Sequence, residues 1–280
     1  MALFFQFQKS KRRVWVGIVL VVVLLAWFVV LYGSFIEPRL LVVNYETISV
    51  SKGTQSIKIA LISDFHVGPY LSEKFVNKIV DQTNKENPDA VLLAGDFVSA
   101  GNLKISQLVP LSKLSATLGV YAIHGNHDFV GKISEVDEYL QGLGIKMLIN
   151  ESAVLKKGDE QLVIVGVDDV WFGNVDFEKA LKDVPADIPR VLLAHNPDIV
   201  YALRDYKFDA ILSAHTHGGQ IRLPLIGSIS VIPTELGRKF DRGMFDWNGI
   251  PLLITSGVGS IGPRARLFVP PEIMMIDFNF

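Results

Sequence analysis

Between residues 57 and 128 the chain repeats one pattern three times: a short apolar run that ends at once in a cluster of Asp, His or Asn. Ile57 to Ile62 runs into Ser63-Asp64-Phe65-His66, and Asp89-Ala90-Val91-Leu92-Leu93 into Gly95-Asp96. Val120-Tyr121-Ala122-Ile123 runs into His124-Gly125-Asn126-His127-Asp128. Short runs that do not alternate in polarity read as strands buried on both faces. The segments between them have helical spacing. Ser72 to Asn87 groups Phe75, Val76, Ile79 and Val80, with Ser72 as candidate N-cap, and Leu103 to Leu118 reads as a helix interrupted at Pro110. Strands alternating with helices predict an α/β fold. Ligand sites in such folds gather at the carboxyl ends of the strands, so three polar clusters there predict one shared site.

The second half uses the device twice more. Arg190 to Ala194 ends in His195-Asn196-Pro197, and Asp209 to Ser213 leads into Ala214-His215-Thr216-His217-Gly218-Gly219-Gln220. Residues i and i+2 of an extended segment point the same way, so His215 and His217 can be aimed together. Alone, that pair is either a metal half-site or a chance pairing in a polar loop. Elsewhere, Leu40 to Tyr45 reads as a strand before a turn at Lys52-Gly53-Thr54. Ser152 to Lys157 and Gln161 to Val167 read as a hairpin, and Phe177 to Lys182 and Asp198 to Leu203 as short helices. Apolar runs at 225–232, 243–247, 250–256 and 272–278 read as strands of a second sheet. Residues 40–280 then form one domain of two sheets flanked by helices.

The strand-end residues in chain order are Asp64, His66, Asp96, Asn126, His127, His195, His215 and His217. They take five of the six histidines, and His124 lies just before one cluster. The chain has no cysteine, so any metal must be held by N and O ligands, a set suited to Mn, Zn, Fe or Co. These donors suffice for two divalent metal ions with one carboxylate left to bridge. Two such ions, roughly 3.5–4 Å apart, polarise phosphoryl oxygens and activate water as nucleophile. With two aspartates and one hydroxide, the formal charge is about +1, which favours an anionic ester.

The arrangement resembles the calcineurin-like metallophosphoesterases, whose pattern is Asp-x-His, Gly-Asp, Gly-Asn-His-Asp/Glu, a lone His and Gly-His-x-His. Here those blocks are Asp64-Phe65-His66, Gly95-Asp96, Gly125-Asn126-His127-Asp128, His195 and Ala214-His215-Thr216-His217. The resemblance implies a four-layer αββα sandwich. It implies one metal on Asp64, His66, Asp96 and His217, and a second on Asp96, Asn126, His195 and His215. It also implies a catalytic pair: His127 acting on the transition state or the leaving oxygen, and Asp128 orienting it. Ala214 stands where the family usually has Gly. Ala-His-Asn-Pro-Asp at 194–198, His-Thr-His-Gly-Gly-Gln and a late Pro-Glu-Ile resemble the membrane-anchored subgroup. Some of its members are described as UDP-2,3-diacylglucosamine pyrophosphatases of lipid A biosynthesis, others as general phosphoesterases.

Val14 to Tyr32 carries no charge. Nineteen helical residues span roughly 28 Å, close to a bilayer core, and Trp15, Trp27 and Tyr32 lie near its ends. A buried core helix rarely stays apolar on every face, and a signal peptide has a shorter apolar core with a small-residue cleavage site, absent from Gly33-Ser34-Phe35-Ile36-Glu37-Pro38. The run reads as an uncleaved transmembrane anchor. Lys9, Lys11, Arg12 and Arg13 precede it and only Arg39 closely follows, which places the N-terminus in the cytoplasm and the catalytic domain outside the cell membrane. The resulting plan is a basic N-terminus at 1–13, a transmembrane helix at 14–32, a connector with a first strand at 33–56, and a metallophosphoesterase domain at 57–280.

The expected function is a membrane-anchored, binuclear-metal phosphohydrolase that cleaves a phosphoester or pyrophosphate bond by metal-activated hydroxide. Its substrate would be a phosphorylated small molecule or lipid, of UDP-2,3-diacylglucosamine type. Alternatives are a general phosphomonoesterase or phosphodiesterase acting on cell-envelope substrates, and a non-catalytic metal-binding module. A net charge of -2 and the lack of a basic stripe argue against nucleic acid as partner. His124 is assigned a structural role. Gly218 and Gly219 are expected to allow close approach or positive φ. Arg222, Arg238, Lys239, Arg242, Arg264 and Arg266 form either a phosphate-binding rim or a solvated surface. Phe129, Trp171 and Phe172 either line a substrate pocket or pack in the core.

Overall fold

Alternate residues of the central strands pack into different layers, and this alternation builds the fold. The computed structural model describes residues 2–50, 55–99 and 104–280, with side chains from Arg12 onward. In chain order its elements begin with helix α1 (Ala2–Leu31), β1 (Val42–Ser49), β2 (Ser56–Ile62), α2 (Glu73–Lys85), β3 (Ala90–Leu93), β4 (Val120–Ala122), α3 (Ile133–Gly142) and β5 (Lys146–Met147). There follow β6 (Glu151–Lys157), β7 (Glu160–Gly166), α4 (Phe177–Leu181), β8 (Arg190–Leu193), β9 (Ala210–Ser213), β10 (Arg222–Leu223), β11 (Gly227–Ser228), β12 (Gly243–Trp247), β13 (Ile250–Ile254) and β14 (Glu272–Asn279). One six-stranded sheet has the order β1-β14-β2-β3-β4-β5, the other β12-β13-β9-β8-β7-β6.

From β2, Ile57, Ile59 and Leu61 join Leu162, Ile164, Leu193 and Leu212 of the other sheet in a core between the two sheets. The intervening Ala60 and Ile62 join a second core with Val76, Ile79, Val136 and Leu140 of α2 and α3. A third core lies behind the second sheet, where Val163 and Val165 meet Phe177 and Ala180 of α4. These three cores make four layers, the αββα sandwich. Strands β2 to β5 and β7 to β9 are parallel neighbours, so their carboxyl ends share one edge within each sheet.

Several expectations change at the periphery. The 272–278 run enters the first sheet, not the second: β14 lies between β1 and β2, with Met274, Ile276 and Phe278 facing one core and Ile273 and Met275 the other. The 225–232 run pairs only at Gly227–Ser228, in a two-stranded ribbon with β10. The segment around Pro110 is a 3-10 turn, Ile105–Lys113, and so is Pro197–Tyr201, since proline opens or interrupts each. Ser72 occupies the N-cap of α2 without a capping side-chain bond. The turn expected at Lys52-Gly53-Thr54 lies outside the described residues.

Helix α1 is exposed on every face from Arg12 to Leu31 and is long and apolar enough to cross a membrane. Its continuation docks firmly on the domain. Gly33 O accepts the Arg266 N–H at 2.8 Å, and Glu37 Oε1 accepts the Val269 N–H at 2.6 Å. Both Glu37 and Arg266 are buried.

Candidate metal centre

Each polar cluster begins where a strand stops, and the backbone turns sharply there. Asp64, His66, Asp96, His215 and His217 all lie in the left-handed region, with φ of 57°, 44°, 56°, 71° and 52°. For residues other than glycine that region costs about 1–3 kcal/mol each and persists only where the surroundings enforce it. Here neighbouring strand ends interlock: Asp64 N–H donates to Gly95 O at 3.0 Å, His66 N–H to Asp96 O at 2.9 Å, and Ala214 N–H to His195 O at 2.8 Å. Gly125 is required by proximity, because a Cβ there would lie 2.3 Å from Asp96 Oδ1. Gly219 combines a φ of 70° with a closer approach to Ser228 Oγ. Ala214 is fully buried, its methyl part of the core between the sheets.

These turns bring the candidate ligands into two groups that share Asp96. Asp64, His66, Asp96 and His217 offer ligand atoms within 4.8 Å of one another, as do Asp96, His195 and His215. Asp96 Oδ2 lies 3.3 Å from His66 Nε2 and 3.2 Å from His195 Nε2, one in each group. Its Oδ1 accepts the His127 N–H at 2.8 Å. His66 Nε2 and His217 Nε2 are 3.1 Å apart, and His215 Nδ1 is 3.2 Å from His195 Nε2. His195 Nδ1 donates to Ala94 O at 2.6 Å, which fixes its tautomer and leaves Nε2 as the ligating nitrogen.

The donor set fits divalent metal ions. Both Asp64 oxygens and Asn126 Oδ1 are buried acceptors with no hydrogen-bond donor, an arrangement that proteins avoid unless a cation completes it. Electrostatics point the same way. Burial lowers His66 to about 4 and His215 to about 3, so both rings are neutral and their lone pairs available. Burial, assisted by the Asp96 charge, raises Asp64 to about 7. At Asp96 burial works upward, yet His195 and His66 outweigh it and hold the carboxyl well below the usual carboxylate range. His195 shows the reciprocal effect: burial disfavours its charge, but Asp96 raises it to about 10.

The expected pairing of Asp128 with the His127 ring is not what the structure contains. Both Asp128 oxygens accept main-chain N–H groups: Gly125 at 2.9 Å, Asp96 at 3.0 Å, Phe97 at 2.8 Å and Val98 at 3.3 Å. Asp128 therefore holds the Asp96 loop against its own. The half-buried His127 ring stands edge-on to His66, centroids 4.9 Å apart, with Nδ1 unpartnered. His124 is structural in the expected sense, its two nitrogens 3.0 Å from Asp168 Oδ1 and 2.7 Å from Asp137 Oδ1.

The basic and aromatic candidates also separate. Arg266 is not on any rim; it is fully buried and donates to the carbonyls of Gly259, Val269, Ser256 and Gly257. Arg238 and Lys239 are exposed, and Arg222 pairs with Asp241. Arg242 is half-buried beside the metal loop: a Cβ at Gly218 would lie 3.0 Å from its Cδ. Trp171 and Phe172 are 47 % and 60 % exposed rather than core residues. The Trp171 ring stands edge-on to His215 at 4.6 Å, and Phe129 stacks on Phe172 at 6.5 Å. Sequence reasoning overlooked Asp169, whose Oδ1 accepts the N–H groups of Trp171 and Phe172 and so shapes this aromatic loop. Its place three residues past the end of the apolar β7 is the available signal.

Comparison with known proteins agrees with this geometry. The profile of the family described as calcineurin-like phosphoesterase matches residues 57–219. The chain is 30 % identical over 256 residues to the metallophosphoesterase YkuE of Bacillus subtilis, covering 89 % of each chain. It is 33 % identical over 225 residues to phosphodiesterase YaeI of Escherichia coli, covering 79 % of this chain and 81 % of that one. Over 304 residues it is 26 % identical to UDP-2,3-diacylglucosamine pyrophosphatase LpxG of Chlamydia trachomatis, covering 88 % of this chain and 91 % of that one. With the strand-end donors gathered around Asp96, these similarities establish that the chain belongs to the calcineurin-like phosphoesterase family as a metal-dependent phosphoester hydrolase.

Proposed function

We propose that two divalent ions bind side by side and share Asp96. Asp64, His66, Asp96 and His217 would hold one; Asp96, Asn126, His195 and His215 would hold the other. The observation that carries this reading is Asp96 Oδ2, set 3.3 Å from a nitrogen of one group and 3.2 Å from a nitrogen of the other. Divalent ions in such a pair polarise a phosphoryl group and lower the pKa of water. The chain's own residues then divide the remaining work. His127 presents an unpartnered Nδ1 beside His66 and is assigned to protonate the leaving oxygen. Arg242, packed against Gly218, is assigned to a non-bridging phosphate oxygen. Trp171 walls the side of His215, and with its neighbour Phe172 would contact the substituent on the phosphate.

The full arrangement we infer is a cytoplasmic segment 1–13, a membrane span 14–32, a connector 33–56, and a hydrolase domain 57–280 on the outer side, where the reaction is cleavage of a cell-envelope phosphodiester or monoester. The similarity to LpxG favours a second reading, cleavage of the pyrophosphate of a UDP-diacyl sugar. That reading requires the domain to face the cytoplasm, where nucleotide sugars reside. Metal content and turnover test the site together. Purified full-length protein should contain two ions per chain and hydrolyse an aryl phosphodiester, and Asp96→Asn should lose both ions and the activity. Retention of one full ion and normal turnover by that variant sinks the shared-carboxylate reading. A panel of aryl phosphoesters and UDP-diacylglucosamine, run on the same preparation, separates the two substrate classes.

A further inference from the structure

The ribbon of β10 and β11 carries an apolar surface that the catalytic reading leaves unused. Leu225 and Val231 are fully or nearly fully exposed, at 107 % and 91 %, and Ile226, Ile229 and Phe268 are also exposed. Leu225, Ile226 and Phe268 line one shallow depression at the ribbon turn, so these three form a patch rather than scattered positions, and Ile229 and Val231 follow it closely in the chain. Contiguous exposed apolar surface of this kind marks a partner or a membrane.

Its position identifies which. Arg222 N–H donates to Leu267 O at 2.9 Å, and Leu267 N–H donates to Gln220 O at 2.8 Å. The residue before Leu267, Arg266, donates its N–H to Gly33 O, at the end of the apolar helix. The patch is thus joined to the foot of α1 through one three-residue segment, 266–268. On a second side of that foot lies a cleft of about 810 Å³ whose lining includes Arg39, Lys74, Lys78, Lys85 and Arg264 against one acid, Asp81. The Arg264 guanidinium sits over the Phe35 ring at 5.6 Å. Apolar tips flanked by cations are how proteins lie on an anionic bilayer.

We propose that this face docks on the bilayer that α1 crosses. Leu225, Ile226, Val231 and Phe268 enter the interfacial layer, and Arg39 and Arg264 meet anionic headgroups. The ribbon follows the metal loop directly, and Gly219 packs on Ser228 of β11. Docking therefore holds the His215-Thr216-His217 side of the metal centre near the headgroup plane. A phosphate ester carried on a lipid is the substrate class that this placement serves. The proposal rests on α1 crossing a membrane.

The chain has no cysteine, so single-cysteine variants of the full-length protein report cleanly. Leu225→Cys and Val231→Cys, labelled with nitrobenzoxadiazole, are reconstituted into phosphatidylcholine–phosphatidylglycerol vesicles containing lipids with shallow or deep nitroxides. Val154→Cys on β6 is the exposed control and Val22→Cys the marker of the anchor. The shallow nitroxide should quench the labels at 225 and 231 several-fold more than the label at 154, and the deep nitroxide should quench the label at 22. Equal quenching at 225, 231 and 154 with position 22 still quenched overturns docking while the anchor stands. No quenching at position 22 removes both. Raising the phosphatidylglycerol fraction should increase quenching at 225, and Arg39→Gln with Arg264→Gln should abolish that dependence. Quenching indifferent to the anionic fraction in the parent protein removes the headgroup contacts.

Discussion

The two halves of the metal centre are built by different means. The half on the first sheet, Asp64, His66, Asp96 and Asn126, is braced by main chain: strand-end amides bond to neighbouring strand-end carbonyls, and Asp128 gathers four N–H groups from two loops. In the half on the second sheet, Ala214 N–H bonds across to His195 O and His195 Nδ1 to Ala94 O, but past Ala214 the main-chain N–H bonds are local: Thr216 to Ala214 O, Gly219 to Thr216 O and Gln220 to His217 O. Both halves keep unpartnered buried atoms, the Asp64 oxygens, His66 Nδ1 and Asn126 Oδ1 in the first and His215 Nε2 and His217 Nδ1 in the second, so the difference lies in the main chain behind them. We expect the first half to be set before any ion arrives and the 214–220 loop to gain order from ligation. Metal sites that depend on positioned ligands lose affinity when the residues behind them are removed, typically by 10–100-fold.

The largest effect on this contrast is expected from Asp128→Asn. The amide keeps one acceptor but turns an NH₂ toward main-chain N–H donors, leaving at least one buried donor unsatisfied at about 1–3 kcal/mol. We expect metal affinity to fall about 10–100-fold, as for residues that orient ligands, with a lowered melting temperature in the metal-free protein. Titration calorimetry and thermal melts of the metal-free variant measure both. Wild-type metal affinity in Asp128→Asn would show that the first half does not depend on its brace.

Metal removal should act on the other half. In the metal-free protein, amide hydrogen exchange should quicken in 214–220, whose N–H bonds past Ala214 are local, and change little at 63–67 and 95–98, whose N–H groups bond to neighbouring strand ends or to Asp128. Equal acceleration in both regions, read by mass spectrometry, would erase the difference between them.

The same contrast explains what was legible in the sequence. Every cluster of candidate ligands follows an apolar run, so strand ends and ligand types are readable from local order, and five blocks in series point to one family. Asp128 could not be placed this way, because its partners include amides some 30 residues earlier, at Asp96 to Val98. Strand β14 belongs to the first sheet and not the expected second one for a related reason. Its alternation fits either sheet, and only the gap between β1 and β2 decides, a pairing across more than 200 residues. Arg266 shows the limit for charge: four carbonyls and a buried Glu37 accommodate it, none of them foreseeable from spacing. The ribbon run at 225–232 reads as a strand because apolar residues at an exposed turn share the composition of a buried one.

The smallest expected effect concerns a charge behind the first half. Burial alone would lower the His124 pKa, but Asp137 and Asp168 outweigh it and raise it to about 9, above the ordinary 6.5. A folded-state value raised above the unfolded one means that the protonated ring stabilises the fold. That contribution is complete below about pH 6.5 and is lost as pH rises through about 9. Its upper bound is on the order of 3 kcal/mol. A protein of this size should change its melting temperature by about 2–4 °C for each kcal/mol lost. His124→Gln retains hydrogen bonding without the charge, so the variant should be less stable than wild type at pH 6.5, with the gap narrowing by pH 9.5. Melts of the metal-loaded proteins, taken as a difference between the two chains, cancel other groups that titrate in this range. A gap that stays constant across that interval would mean that His124 acts by shape alone. The carboxylates of Asp137 and Asp168 would then share no charge with it, and the support behind the first half would be entirely main chain.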